Sequence, residues 1–477
     1  MKRKGSADGL GVLLPGFEGT ELPGWLRERL ADGLAGVCLF ATNIATPVRL
    51  RDLTDAIRAA NPAAVIAIDE EGGDVTRLHQ ATGSPYPGNA ILGRLDDVDG
   101  TREVAAAVGA ELAAAGVTLD LAPDADVNSD DANPVIGVRS FGADPELVSR
   151  HTAAWVTGLQ EVGIAACAKH FPGHGDTARD SHLAVPVVDL PLEALRTREL
   201  LPFAAAIAAG VRGVMTSHIL LPRLDAENVA TFSPRILGEL LRGELGFGGA
   251  IVSDALDMRG ASGRIGIAAA AARSLAAGAD LLCLGTANTA EQVDEIAAVV
   301  ARRVAASRRE DAMRRIAALR VAPAAAAASA SGPPAFDLER TIRAFDIVGD
   351  ARVAAERTIV QLETGASIAV GPAPWGPAAA GAVVARLREG DPVPAPVGGQ
   401  TVLVGRDNHR RDWTRAAIDA ARAADPGVLV VDMGWPSADR RYADIATFGA
   451  SAHAGAALLR LLDRRASRTS ERAEASR

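Results

Sequence analysis

Up to about residue 320 the chain alternates short apolar runs of strand length with longer amphipathic stretches. The apolar runs are Leu10–Leu14, Gly36–Phe40, Val65–Asp69, Val117–Ala122, Ala165–Lys169, Gly213–Ser217, Ala250–Asp254 and Asp280–Leu284. Helical periodicity between them predicts helices over 47–60, 102–115, 145–162, 192–209, 234–245, 265–277 and 290–305. Pro47, Pro145, Pro191 and Pro234 stand at or near the helix starts, where a missing N–H costs nothing. Strands and helices in strict alternation predict an α/β fold of the (β/α)8 barrel type. The alternative, one open doubly wound sheet, calls for a Gly-rich nucleotide turn near its start, and none is found.

From Val321 the pattern changes to an Ala/Pro/Ser-rich stretch that reads as a linker over 321–337. Beyond it, a helix is expected near Leu338–Thr358. Strand-like runs follow at Ile359–Leu362, Ile368–Gly371, Ala382–Ala385, Thr401–Val404, Val428–Met433 and Asp444–Thr447, with a helix at Asp412–Ala424. The expected organisation is therefore a barrel over 1–320, the linker, and a smaller α/β sandwich over 338–477. In this second half Asp407–Asn408–His409 reads as a surface loop and Ser451–Ala452–His453 as a helix cap.

Composition narrows the function classes. An apolar content of 48% with 23% charged residues is globular, and 477 residues favour two domains. A formal net charge of -9 argues against a nucleic-acid or anionic-membrane partner, because the only basic stripe is the short tail 464–477. No window has the length of a membrane span without charges, and the basic start Met1–Lys4 is not followed by a signal-peptide apolar core, so a cytoplasmic protein is expected. Cys38, Cys167 and Cys283 each lie inside an apolar run and read as reduced core thiols.

The densest chemistry lies in Lys169–His182, which holds three of the chain's eight histidines together with Asp176 and Asp180. It begins where a predicted strand ends, the place where α/β proteins keep their reactive groups. Asp180 precedes His182 by two residues, so in a turning loop its carboxylate reaches Nδ1 of the ring and leaves Nε2 outward as an oriented proton shuttle. The ordinary alternative for Asp-x-His is an Asx turn. His170, His174 and His182 with the two aspartates also offer metal-ligand atoms, but Pro172, Gly173 and Gly175 break the helical His-x-x-x-His geometry and no cysteine is near, so no metal or other cofactor is expected. Asp69, Asp126, Lys169, His218 and Asp254 likewise follow their apolar runs, which in a barrel gathers them at one mouth. Asp254 at a strand exit could equally be the N-cap of the next helix.

The 169–182 run resembles the signature of the family 3 glycoside hydrolases, in the β-N-acetylglucosaminidase branch of bacterial cell-wall recycling. Four further stretches match that branch: Phe17–Leu22, Asp69–Arg77, Asp126–Asn128 with Asn133–Gly142, and Ile251–Met258. The resemblance implies a retaining exo-acting enzyme with Asp254 as nucleophile and His182, held by Asp180, as general acid/base. It implies sugar contacts from Asp69, Arg77, Arg139, Lys169 and His170, with His218 counted among the substrate-binding candidates. Asp126 is expected to be structural support, and Phe17–Leu22 is given a fold role. Asp74 stands where the family commonly has arginine, a departure expected to alter loop packing or the neighbouring subsite.

Two tyrosines and five tryptophans are too few for a long aromatic polysaccharide groove, so a short soluble glycan or muropeptide fragment is the expected substrate. The rival readings are a phosphorylase using the same site with phosphate as acceptor, a family 3 β-glucosidase, and a catalytically inactive sugar-binding scaffold. Oligomeric state is not legible in the sequence.

Overall fold

The computed structural model describes residues 7–177, 185–319, 336–365, 367, 369–392 and 399–475. The chain forms two compact units that are not contiguous in sequence: 1–71, 98–136 and 143–334 make the first, and 72–97, 137–142 and 335–477 the second. Most of the expected linker, 320–335, lies outside the described residues.

The first unit is an eight-stranded parallel sheet of β1 (Leu13–Leu14), β2 (Gly36–Leu39), β3 (Val65–Ile68), β4 (Leu119–Asp120), β5 (Ala165–Phe171), β6 (Gly213–Thr216), β7 (Ala250–Ser253) and β8 (Leu281–Cys283). Each strand pairs with the next in sequence from β2 to β8, and β1 pairs with β8 through Leu13 and Leu282. The remaining seam is closed by Ala35 N donating to Leu10 O at 3.1 Å and Cys38 N to Pro15 O at 3.0 Å. The sheet is thus the expected barrel. Its strands are buried on both faces, which is why they read as unbroken apolar runs rather than alternating ones. Cys38, Cys167 and Cys283 are all buried, as their apolar settings predicted.

Helices start where capping chemistry places them. Thr46 accepts from Arg49 N ahead of Pro47–Ala60, and Asp144 from Glu146 N ahead of Pro145–Glu161. The helix expected over 192–209 is instead two, Leu192–Thr197 and Leu200–Ala208. The helix expected over 234–245 is present as Arg235–Glu244 with π-type winding.

The second unit holds a six-stranded sheet of β9 (Asp346–Ile347), β10 (Arg357–Leu362), β11 (Ala385–Leu387), β12 (Gln400–Gly405), β13 (Leu429–Asp432) and β14 (Ile445–Ala446), in the order β11-β10-β12-β13-β14-β9. Only the β14–β9 pair is antiparallel. Val402 and Val404 join one apolar cluster with Leu458, Leu461 and Leu462, whereas Leu403 joins another with Ile418 and Ala421. Alternating residues of one strand therefore feed two helical layers, which is an α/β sandwich.

Three expectations for this half are corrected. The helix near 338–358 is only Leu338–Ile342, because pairing with β14 draws Asp346–Ile347 into the sheet as β9, and Gly349, at φ +61°, turns the chain after it. Residues 369 and 370 form a turn rather than a strand, closed by Gly371 N donating to Ser367 O. Asn408 is fully buried, its amide donating to Val431 O and Tyr442 O, so its loop is a packed connection between strands. Ser451 does cap its helix, accepting from Ala454 N at 3.1 Å.

Candidate active site

Within the first unit the polar residues at the strand exits converge on Lys169. Its ammonium, 2% exposed, lies 2.6 Å from Asp69 Oδ1 and 2.8 Å from Glu71 Oε1. Asp69 and Glu71 leave β3 and Lys169 lies on β5, so these charges meet across the intervening β4. The pairing of β5 with β6 shifts register between Ala168 and Phe171, a bulge that re-aims Lys169 and His170. β5 also runs two residues beyond its expected end, to Phe171.

His170 is gripped by Asp126. Asp126 Oδ2 lies 2.7 Å from His170 Nδ1, while Oδ1 accepts from His170 N at 3.2 Å and His174 N at 2.7 Å. One fully buried carboxylate thus orients an imidazole and two backbone amides of the turn after β5. Asn133 supports the same turn by donating to His174 O and Gly175 O, each at 2.9 Å. His174 packs edge-on to His170 with its Nδ1 2.8 Å from Thr177 Oγ1. Burial lowers the His174 pKa to about 4 against the opposing pull of Asp126 and, more weakly, Asp254, which keeps that ring neutral.

Asp254 leaves β7 partly exposed, its Oδ1 accepting from Ala255 N at 2.7 Å. No helix begins there: the next is the short Arg259–Ser262, with Met258 in the capping position, so Asp254 is not an N-cap. His218 Nδ1 lies 2.9 Å from Thr231 Oγ1 and its Nε2 lies 3.0 Å from Ala255 O. Through these two contacts His218 braces the backbone beside Asp254.

Asp180 and His182 lie outside the described residues. Arg77 and Arg139 belong to the second unit. There Arg77 Nη2 donates to Ala369 O at 2.8 Å, and Arg139 is buried in a short 3-10 turn, Gly137–Arg139, whose last carbonyl accepts from Asn89 Nδ2. Asp74 accepts from Ala450 N at 2.8 Å in that unit.

Asp124, Asp126 and His170 each bring a potential metal-ligand atom within 4.8 Å of the others. The Asp126 and His170 atoms are already joined in the network above, which suits hydrogen bonding.

Two participants escaped the sequence reading. Glu71 sits in the Asp69–Arg77 stretch and its adjacency to Asp69 was the available signal. Glu199, 1% exposed, sits in what reads as a continuous helix, and only Pro202 hinted at a break. Burial raises the Glu199 pKa to about 7, while Arg198 pulls against that rise.

A barrel with carboxylates, imidazoles and a buried lysine at its strand ends gathers polar groups where barrel enzymes keep their active sites. Residues 25–319 match the glycosyl hydrolase family 3 N terminal domain, and the chain belongs to that family. A β-hexosaminidase of Stenotrophomonas maltophilia is 39% identical over 279 residues, spanning 57% of this chain and 82% of that protein. The solved family 3 β-N-acetylglucosaminidase of Paenibacillus sp. str. FPU-7 superposes with a TM-score of 0.84 at 28% identity, covering 96% of each chain. NagZ from Neisseria gonorrhoeae, solved with N-trifluoroacetyl-D-glucosamine, is 32% identical with a TM-score of 0.56, covering 65% of this chain and 98% of its own.

Proposed function

We propose that this glycoside hydrolase is a retaining exo-β-N-acetylglucosaminidase. It would remove terminal β-linked N-acetylglucosamine from short glycans or muropeptide fragments in the cytoplasm. The observation that carries the reading is Asp254: a carboxylate at a barrel strand exit, partly exposed, beginning no helix, its flank braced by His218. The hexosaminidase relatives and the N-acetylglucosamine-type ligand of the Neisseria protein support the sugar class.

In this reading Asp254 attacks the anomeric carbon while His182, oriented by Asp180, gives its proton to the departing glycosidic oxygen. His182 then takes a proton from water, whose oxygen displaces Asp254 from the sugar. An imidazole suits both steps because its ordinary pKa of about 6.5 is close to working pH. Asp69, Lys169 and His170 bind sugar hydroxyls, and Arg77 and Arg139 are assigned sugar contacts from their motif positions. Among the described residues no helix is long and apolar enough to cross a membrane.

The test is to incubate the protein with a fluorinated N-acetylglucosamine analogue carrying a good leaving group and map the labelled peptide. Attachment at Asp254 is expected. Full turnover of an aryl N-acetyl-β-glucosaminide by Asp254→Ala would overturn the reading. Sugar phosphate released only when phosphate is present would identify the phosphorylase instead.

A further inference from the structure

In the second sheet the parallel strands run in the order β11-β10-β12-β13-β14, so the chain leaves β10 toward one side and β12 toward the other. The crevice beyond the carboxyl ends of two such strands is where an open α/β sheet ordinarily receives a ligand. Here that end of the sheet is engaged by the chain itself, through the segment 72–97, which belongs to the same unit. Arg77 Nη2 donates to Ala369 O at 2.8 Å. The Gln80 amide, oriented so that both its ends are satisfied, donates to Thr76 O at 2.9 Å and accepts from Ala373 N at 3.0 Å. Ala369 and Ala373 both lie in the connection that follows β10.

Arg406, the first residue after β12, ties that connection near both its ends. Its Nη2 donates to Thr364 O at 3.0 Å just past β10, and its guanidinium lies 4.4 Å over the Trp375 ring at the far end. Thr364, Trp375 and Arg406 are all buried, so the bond and the stack are shielded from water and hold more firmly than exposed contacts do. Arg406 also faces Asp74, whose carboxylate accepts from Ala450 N at 2.8 Å. Asp74 stands three residues before Arg77. One guanidinium thus grips both the stretch that holds Arg77 and the stretch that leads into it.

We propose that Arg406, paired with Asp74, is a positioning residue for sugar binding: it fixes the connection whose Ala369 carbonyl orients the Arg77 guanidinium, so the second unit sets the affinity for the N-acetylglucosamine ring. This rests on the reading of Arg77 as a sugar contact. The aspartate at 74 then has a reason, because the arginine expected there would set a second cation against Arg406. A lysine at 406 would supply the charge without the planar group that stacks on Trp375 while donating to Thr364.

Arg406 touches no sugar in this scheme, so its effect must pass through Arg77. The test measures kcat and KM of the full chain on an aryl N-acetyl-β-glucosaminide, and the Ki of N-acetylglucosamine as a competitive inhibitor. Arg406→Ala is expected to raise KM and Ki about 10-fold with kcat within about threefold of the parent, the pattern of lost uniform binding. Arg77→Ala should raise Ki at least as much, and adding Arg406→Ala to it should change Ki by less than about twofold, because residues in one chain of contacts are not additive. Asp74→Asn keeps an acceptor for Ala450 N; it should raise Ki about threefold with the same non-additivity, and it serves if the Arg406 variant does not fold. A parental Ki in the Arg406 and Asp74 variants, or a rise that multiplies with that of Arg77→Ala, would overturn the proposal. If Arg77→Ala itself keeps the parental Ki, the sugar contact falls and this inference with it. A parent that neither turns over the glycoside nor binds N-acetylglucosamine would instead remove the proposed function.

Discussion

Asp126 Oδ2 and His170 Nδ1 lie 2.7 Å apart in the buried floor of the barrel mouth, and the same carboxylate accepts from two backbone amides. The bond orients the ring and sets its tautomer. Asp126→Asn replaces an anion that satisfies three N–H donors with an amide that brings donors of its own. A rise in KM of about 10-fold or more is expected from the disoriented ring, together with a loss of about 2–4 kcal/mol of stability. Steady-state kinetics and urea unfolding would check both.

Lys169 neutralises two carboxylates, and Glu71 is as buried as the lysine. Lys169→Met keeps the length of the stem and removes the charge, leaving Asp69 and Glu71 to face each other. The expected cost is about 3–5 kcal/mol near pH 7. Urea unfolding of both proteins at pH 7.5 measures it; a Lys169→Met protein as stable as the parent would contradict the electrostatic cause.

Glu199 gives the folded protein a proton the unfolded chain does not keep. Its pKa is about 7 in the fold, raised by burial from an ordinary 4.5. The associated stability is complete below about pH 4.5 and is lost as the pH rises toward 7, by about 3 kcal/mol in all. His174, lowered to about 4, has the opposite slope in that window, since the unfolded chain takes up its proton first as the pH falls. The two partly cancel in the native protein. Glu199→Gln removes one side of the balance, so the variant should gain on the parent as the pH is raised from 5 to 7.5. Unfolding curves that stay a constant distance apart would contradict this.

Asp74 occupies a position where the resemblance led us to expect arginine, and its carboxylate accepts from Ala450 N while facing Arg406. Burial raises its pKa, and Arg406 with the backbone amides opposes that rise. Arg406 is in turn buried, stacked 4.4 Å over Trp375 and donating to Thr364 O. Asp74→Ala strands Ala450 N and a buried guanidinium, with an expected loss of about 1–3 kcal/mol from the second unit. Hydrogen exchange at the start of the helix Ala452–Ala475 would show it locally.

Much of the barrel was legible because its signal is local. Each strand is an apolar run, and caps such as Thr46 and Asp144 with a proline after them mark helix starts within a few residues. The motif residues were legible for the same reason, as each lies just past a run. Errors came where a helix breaker or a distant strand overrode the helical period. Helix periodicity across 192–209 continues through Arg198, but Pro202 acts four residues back. The 338–358 stretch has helical spacing, yet pairing with β14 draws Asp346–Ile347 into a sheet.

Sequence alone determined that this chain alternates strand and helix into a barrel, that its polar residues gather at strand exits, and that it carries the family 3 motifs. Only the tertiary structure decided which charges meet. Lys169 finds Asp69 and Glu71 about a hundred residues earlier, Asp126 takes His170, and Arg198 joins Glu199 to Asp176. It likewise decided that 72–97 and 137–142 pack with the second unit although they interrupt the barrel sequence. The physical reason is one of range. Hydrophobic periodicity and capping act over a few residues, whereas the partner of a buried charge is chosen by strand order, register and bulges, which bring distant residues within a hydrogen bond of each other.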